Sequence, residues 1–361
     1  MALALAVTDA SQGGMWFWRN VSVWCGRSAR YERGGRDIGG QGHGGGGAMF
    51  VMAGILIGLA GGLALITLLA VWRAERLAPP EGLFCDVPGG RLHYTDQGCG
   101  GAIVLIHGLG GNLRNFARPF VDHLARSHRV IALDRPGAGY STATGPVPDL
   151  HGQAAMVAAL IEQLKPGPVT LAGHSLGGAL SLAVVEARPD LVASLALIAP
   201  LTQHIDDVPA QFRILMIRSA ALRRIVAWMV IGLAGLLAGR ARQLPAFAPD
   251  PVPADFESLG GGALLFRPAT FDAASRDAQA VPGVLAALMA GYPSIARPVD
   301  VLFGKGDQIL DPALHGERFA TQMPGATCHL VEGGHMLPFT HPVATAQWIE
   351  TVVARSGASE R

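Results

Sequence analysis

The chemistry-bearing residues of this chain gather around Ser175, which sits in the run Gly173-His174-Ser175-Leu176-Gly177-Gly178. The pattern predicts a strand over Val169–Gly173 and a helix from about 176 to 187, so the serine falls on a tight strand-to-helix turn. Glycines two before and two after it are needed where strand and helix backbones crowd together. Such a turn holds the hydroxyl clear of the sheet, and the helix N-terminus favours negative charge developing beside it. A serine placed this way is a candidate nucleophile for acyl transfer. An ordinary glycine-rich turn would carry the same residues, so the pattern needs support from elsewhere.

That support comes from three other segments. Ala102–His107 reads as a buried strand running into His107-Gly108-Leu109-Gly110-Gly111. A loop there can aim one backbone N–H at an oxyanion, with the residue after the nucleophile supplying a second. The two donors are assigned to Leu109 and Leu176. A serine hydroxyl is a weak nucleophile at neutral pH and needs a base, which in turn needs an orienting acid. Asp307 follows the predicted strand Val299–Gly304, and His335 follows the last predicted strand, Thr327–Val331. Both would project from the carboxyl edge of the sheet, as Ser175 does. Asp311 is the alternative acid, although its place before Pro312 suits a helix N-cap. Among twelve histidines, His329 falls inside a strand, His341 at a helix entry and His43 in a glycine tract. His107 and His174 flank the site, and His335 occupies the loop a base requires.

These segments together resemble the α/β-hydrolase fold superfamily over residues 82 to 355. Asp134-Arg135-Pro136-Gly137-Ala138-Gly139-Tyr140-Ser141 is similar to that superfamily's turn after strand four, with Asp134 as a structural anchor. The resemblance implies a Ser175–His335–Asp307 triad in the chain order serine, acid, histidine. It implies hydrolysis of an ester-type acyl substrate through an acyl-enzyme, with no cofactor. Thioester or amide cleavage, C–C bond hydrolysis and perhydrolysis use the same triad, and a non-catalytic receptor or scaffold is the reading of another class. Haloalkane dehalogenases and soluble epoxide hydrolases need a carboxylate where this chain has Ser175.

The elements that must position these residues follow from hydrophobic patterning. Predicted strands at Leu83–Val87, Arg91–Thr95, Ala102–His107, Arg129–Asp134, Val169–Gly173, Val192–Ile198, Val299–Gly304 and Thr327–Val331 alternate with helices near 115–126, 151–164, 176–187, 312–321 and 341–355. The expected class is α/β: a mostly parallel eight-stranded sheet with helices on both faces. The core is assigned to 82–200 and 296–357. Residues 201–295 break the alternation and read as a helical cap insertion without a core of its own. Its apolar stretch 225–239 is read as too short to span a bilayer. Arg213, Arg218, Arg223, Arg224, Arg240 and Arg242, against Asp206 and Asp207, could hold it at a lipid surface; a helix packed over the pocket with solvated arginines is the slightly favoured reading.

Residues 48–72 contain no charged side chain. As a helix they reach about 37 Å, enough to cross a ~30 Å hydrocarbon layer, so one N-terminal transmembrane helix is expected, followed by a linker over 73–81. Gly54, Gly58 and Gly62 make a smooth stripe on which a second copy could pack. Residues 1–47, rich in glycine and arginine, read as an unordered tail, and a translation start at Met49 or Met52 would remove it. With the tail present, Arg19, Arg27, Arg30, Arg33 and Arg36 outnumber Arg73 and Arg76 and place the catalytic part on the non-cytoplasmic side; a start at Met49 reverses this. Net charge is +1 among 361 residues, so no global field favours nucleic acid. Four scattered cysteines have no zinc-site spacing, although Cys85 and Cys99 could meet across the first hairpin.

Overall fold

A computed structural model describes residues 44–205, 210–238 and 243–359. It opens on helix α1, Gly44–Leu77, followed by strands β1 (Leu83–Val87), β2 (Gly90–Gln97) and β3 (Ala102–Ile106). Next come α2 (Arg118–Leu124), β4 (Arg129–Leu133), β5 (Thr142–Ala143), α3 (Leu150–Leu164), β6 (Val169–His174), α4 (Leu176–Ala187) and β7 (Val192–Ile198). The cap holds α5 (Ala220–Val226), a π-helical turn Ala227–Ile231, α6 (Gly232–Ala238), α7 (Leu244–Phe247) and α8 (Pro268–Gly291). The chain then returns through β8 (Val299–Gly304), α9 (Phe319–Gln322), β9 (Thr327–Val331), α10 (Leu337–Thr340) and α11 (Pro342–Ser359).

The strands form one sheet in the order β1-β2-β4-β3-β6-β7-β8-β9. Pairing is antiparallel from β1 through β4 and parallel from β4 to β9. The sheet has nine strands rather than the eight expected, because the two-residue β5 pairs with the start of β2; so short a segment has no periodicity to read. Strands β3, β6 and β8 are buried along their whole length, which is why they read as mainly apolar runs. One face is covered by α3 and α4, with Leu160, Leu180 and Val184 fully buried. The other is covered by α2 and α11, through Phe120, Leu124, Ile349 and Val352. From β3 the chain departs to β4 on one side, and from β6 to β7 on the other. That reversal leaves a crevice at the carboxyl ends of β3 and β6.

Three boundaries differ from the sequence expectation. Helix α1 starts four residues before Ala48 and runs five past Trp72, into the tail and the linker read from composition. Extending an existing helix adds a hydrogen bond for each residue ordered, so glycines that could not nucleate one can lengthen it. The apolar cap stretch belongs to a helix over Ala220–Leu237, because the π-turn joins α5 to α6 without a break; at 18 residues it is long and apolar enough to cross a membrane. The cap also has a small apolar cluster of its own, around Ala227, Ile231 and Phe271. Cys85, Cys99 and Cys328 are free thiols, and Cys85 instead donates to Gln163 Oε1 at 3.0 Å.

Asp134 anchors the turn after β4. Its buried carboxylate accepts the N–H groups of Leu113 (2.7 Å) and Tyr140 (2.8 Å) and lies 2.7 Å from His93 Nδ1. Asp134→Ala leaves three buried donors unpaired and is expected to destabilise the chain by about 3–5 kcal/mol. Urea unfolding in detergent would read it as a lower midpoint, and an unchanged midpoint would refute the anchoring role.

Candidate active site

Ser175 follows β6 and caps α4 with φ 56° and ψ −122°, a left-handed backbone that a β-carbon residue adopts at a cost of about 1–3 kcal/mol. The surroundings enforce it. Ser175 N–H donates to Ile198 O of β7 (3.0 Å), and Ser175 O accepts Gly178 N–H (2.9 Å) and Leu201 N–H (3.0 Å). A β-carbon at Gly177 would collide with the Ile106 carbonyl at the end of β3, so only glycine lets helix and strand meet there. Leu176 N–H is a first-turn donor that α4 cannot pair internally. The Gly108 backbone lies so close to Ser175 that a side chain on it would press on the serine Cβ. This brings the Leu109 loop against the serine, and Leu109, Ser175 and Leu176 line one cavity.

The loops after β8 and β9 are tied together by Lys305 N–H to Val331 O (2.8 Å) and Gly306 N–H to Gly333 O (2.9 Å). They bring His335 Nδ1 to 2.7 Å from Asp307 Oδ2, with both side chains buried. Burial works against the Asp307 carboxylate, but the positive charge and hydrogen bond of His335 and the N–H groups of Leu310 and Ile309 outweigh it, holding the pKa below the ordinary value. Ser175 and His335 line one cavity. No hydrogen bond joins them among those formed by the described residues. Asp311 accepts Ala313 N–H at 2.9 Å and so caps the following turn. His329 sits beside Thr327 and Asp300, and His341 beside Asp250. His43 lies outside the described residues.

Two neighbouring histidines support this frame in the neutral form. His174 Nε2 lies 3.0 Å from the His335 carbonyl, and burial, reinforced by the His335 charge, pushes its pKa down to about 3. His107 Nε2 accepts Arg135 N–H (2.9 Å) while Nδ1 donates to Gly108 O (2.8 Å). Burial and the Arg135 charge lower its pKa to about 4.

Several contributors lay outside the reading of the sequence. Arg135 is fully buried, donates to Gly108 O at 3.1 Å, and pairs with Asp277 of α8 and Gln153 of α3. It therefore ties the loop after β3 to the cap. Asn112 and Asn115 hold Gly261 O and Gly260 O at 3.1 and 2.9 Å. The local signal for the asparagines was a polar pair beside the glycine loop, while the pairing of Arg135 with Asp277 had none.

A family profile described as alpha/beta hydrolase fold matches residues 101–243. The enol-lactonase from Burkholderia xenovorans superposes with a TM-score of 0.62 at 22% identity, covering 75% of this chain and 100% of that one. The chain has the α/β-hydrolase fold. A segment of it is 42% identical over 130 residues to the dihydrolipoyllysine-residue acetyltransferase component of the acetoin cleaving system from Pseudomonas putida, covering 35% of this chain and 34% of that protein. It is 39% identical over 106 residues to the (E)-2-((N-methylformamido)methylene)succinate hydrolase of Acinetobacter baylyi, covering 29% and 40% respectively. The chain thus matches well under half the length of these curated relatives.

Proposed function

We propose that this chain is a membrane-anchored serine hydrolase that cleaves an ester with an apolar acyl group. The observation that carries the reading is the strained Ser175 turn beside the hydrogen-bonded Asp307–His335 pair at one sheet edge. In this reading His335 Nε2 takes the Ser175 proton as Oγ attacks the carbonyl carbon. The N–H groups of Leu109 and Leu176 stabilise the oxyanion, and Asp307 holds the imidazole tautomer. The acyl–oxygen bond breaks, the proton passes from His335 to the leaving alcohol, and water then hydrolyses the acyl-enzyme with His335 again as base. The apolar character of the acyl group follows from the cavity of about 110 Å³ beside Ser175, walled by Leu201, Ile205, Met216, Val281 and Leu285. A fluorophosphonate probe should label the chain at Ser175, and no labelling of the folded protein would end this reading.

The membrane part rests on α1 and the cap. The most apolar 18-residue window of Ala48–Leu77 has a mean hydropathy of 2.4, and only 6% of it is buried. Thr67 of α1 donates to Trp228 O at 2.7 Å, and Gly232 packs on Thr67 where a side chain would collide. The anchor and the cap helix therefore run against each other. Leu65, Leu68, Leu69 and Trp72 on one, and Leu222, Ile225, Val230 and Leu237 on the other, are exposed apolar groups. Arg213, Arg218 and Arg224 are exposed beside them, whereas Arg223 is buried against Asp272 and Arg240 and Arg242 lie outside the described residues. A photoactivatable apolar probe in anionic vesicles is expected to modify both the 48–72 and 222–237 segments. Labelling of the first alone would remove the cap from the bilayer, and labelling of neither would remove the anchor.

A further inference from the structure

The peptide unit between Gly108 and Leu109 is fixed through its carbonyl. Gly108 O accepts three hydrogen bonds: from Arg135 Nη1 at 3.1 Å, His107 Nδ1 at 2.8 Å and Gly111 N–H at 3.3 Å. In a planar trans peptide the N–H points away from the carbonyl, so these bonds turn the Leu109 N–H away from Arg135. The nucleophile stands close by: a side chain at Gly108 would press on Ser175 Cβ, and Leu109 and Ser175 line one cavity. The Leu109 N–H donates to no group among the described residues. On the serine-hydrolase reading above, which this inference rests on, that N–H is an oxyanion donor, and whatever fixes the Gly108 carbonyl aims it.

Strand register brings Arg135 to this carbonyl. Strands β3 and β4 run parallel with Ile106 opposite Leu133, so Arg135 emerges two residues further on, beside Gly108. Its planar guanidinium is pinned along its other edges. Nε and Nη2 donate to Gln153 Oε1 of α3 at 3.3 and 3.1 Å, and Nη2 also donates to Asp277 Oδ2 of α8. Gln153 Nε2 donates to Asp277 Oδ1 at 2.7 Å, so both carboxylate oxygens are engaged and Nη1 is left to Gly108 O. The Arg135 and Asp277 side chains are 1% and 5% exposed. The bond to Gly108 O is therefore charge-assisted and shielded from water, stronger than a neutral one. A carbonyl polarised in this way makes the N–H of the same peptide a stronger donor.

We propose that Arg135 and Asp277 are positioning residues for catalysis: the carboxylate on the cap holds the guanidinium that aims and polarises the Leu109 N–H toward the oxyanion. Both act through the Gly108–Leu109 peptide. Asp277 shares α8 with Ala274 and Ala278, which line the cavities at Ser175, so the donor is aimed while α8 is seated on the core.

The test uses the full chain in detergent micelles with p-nitrophenyl octanoate. A paired variant, Arg135→Met with Asp277→Leu, removes both buried charges together and should stay folded, since neither charge is left unpaired. Its kcat should fall by about 10–100-fold, less than the loss of a whole oxyanion donor. KM should stay within about twofold, because the affected interaction meets charge that develops only in the transition state. A trifluoromethyl ketone with an octyl chain, whose adduct with Ser175 carries the same oxyanion, should bind more weakly by the factor lost from kcat/KM. Arg135→Lys keeps a charge beside Asp277 and serves alone should the paired variant not fold. Its compact ammonium lacks the fork that spans Gly108 O, Gln153 and Asp277, so kcat should fall by about tenfold. Unchanged kcat in a folded variant, with the intact chain active and labelled at Ser175 by fluorophosphonate, would overturn this proposal alone. A loss carried by KM, or a kcat loss with inhibitor affinity unchanged, would make the pair structural and overturn it too. Failure of the intact chain to label at Ser175 overturns it together with the hydrolase reading.

Discussion

Ser175→Ala is expected to lower kcat on an ester by about 10⁵–10⁶-fold while leaving the melting temperature of the chain unchanged within a few degrees. The magnitude follows from the way nucleophile, base and acid act as one unit, in which removing any member disables the others. His335→Ala should therefore cost nearly as much, and the double variant should lose little more than either alone. Asp307→Asn should cost about 10⁴-fold, because an amide at that position favours the wrong imidazole tautomer. Residual activity near the intact level in Ser175→Ala, by an assay free of contaminating esterase, would refute the nucleophile assignment. Alanine is also easier to hold than to explain at φ 56°. The turn is locked by the Ile198, Gly178 and Leu201 hydrogen bonds, none of which uses the serine hydroxyl, so the fold should survive the substitution.

Acid is expected to unfold this protein well above the pH at which carboxylates titrate. His107, His174 and His315 are all buried. Their pKa values are pushed down from 6.5 to about 4, 3 and 4, with burial the largest cause in each. For His315 the Asp311 and Asp307 charges oppose burial without offsetting it, and its Nδ1 accepts the N–H groups of Thr202 and Gln203 at 3.2 Å. A histidine whose folded pKa lies below its unfolded pKa is held neutral by the fold and takes up a proton on unfolding. Its stabilising contribution is fully present above pH 6.5 and is lost as the pH falls from there toward the folded value. Three such groups sum to on the order of 10 kcal/mol by pH 4, comparable to the whole stability of a typical domain. Asp307 adds in the same direction but lower, since a carboxylate with a depressed pKa gives up its contribution only below the ordinary carboxylate range. Thermal unfolding followed by circular dichroism should give a steady midpoint from pH 8 to 7 and a steep fall between 6.5 and 4.5. Calorimetry in two buffers at pH 5 should show net proton uptake on unfolding. A midpoint unchanged between pH 7 and 5 would refute the neutral, buried state of these histidines.

The two predictions differ in how much of them the sequence carried. The strands holding the site could be read because β3, β6 and β8 are buried on both faces and so appear as mainly apolar runs. Ser175, Asp307 and His335 could be picked out because each follows a predicted strand in a glycine-marked loop, although β9 before His335 is a largely exposed edge strand, and chain order then fixed their candidate roles. The strain at Ser175 was implicit in the same local pattern. The neutral state of His107, His174 and His315 was not, because depth of burial and the identity of each hydrogen-bond partner depend on elements distant in the chain. His174, for example, meets a carbonyl 161 residues away.

The sequence by itself determined the scaffold and a candidate triad, since both are written in short-range signals: period, glycine placement and the order of loops. The hydropathy of residues 48–72 likewise marked a long apolar helix without reference to anything else. Only the tertiary structure decided what surrounds Ser175. It set the anchor against the cap helix through Thr67 and Gly232, and tied the loop after β3 to α8 through Arg135 and Asp277. Those contacts join residues well over a hundred positions apart, and no local propensity specifies them. They are settled by which surfaces the packed sheet leaves free for the cap to cover.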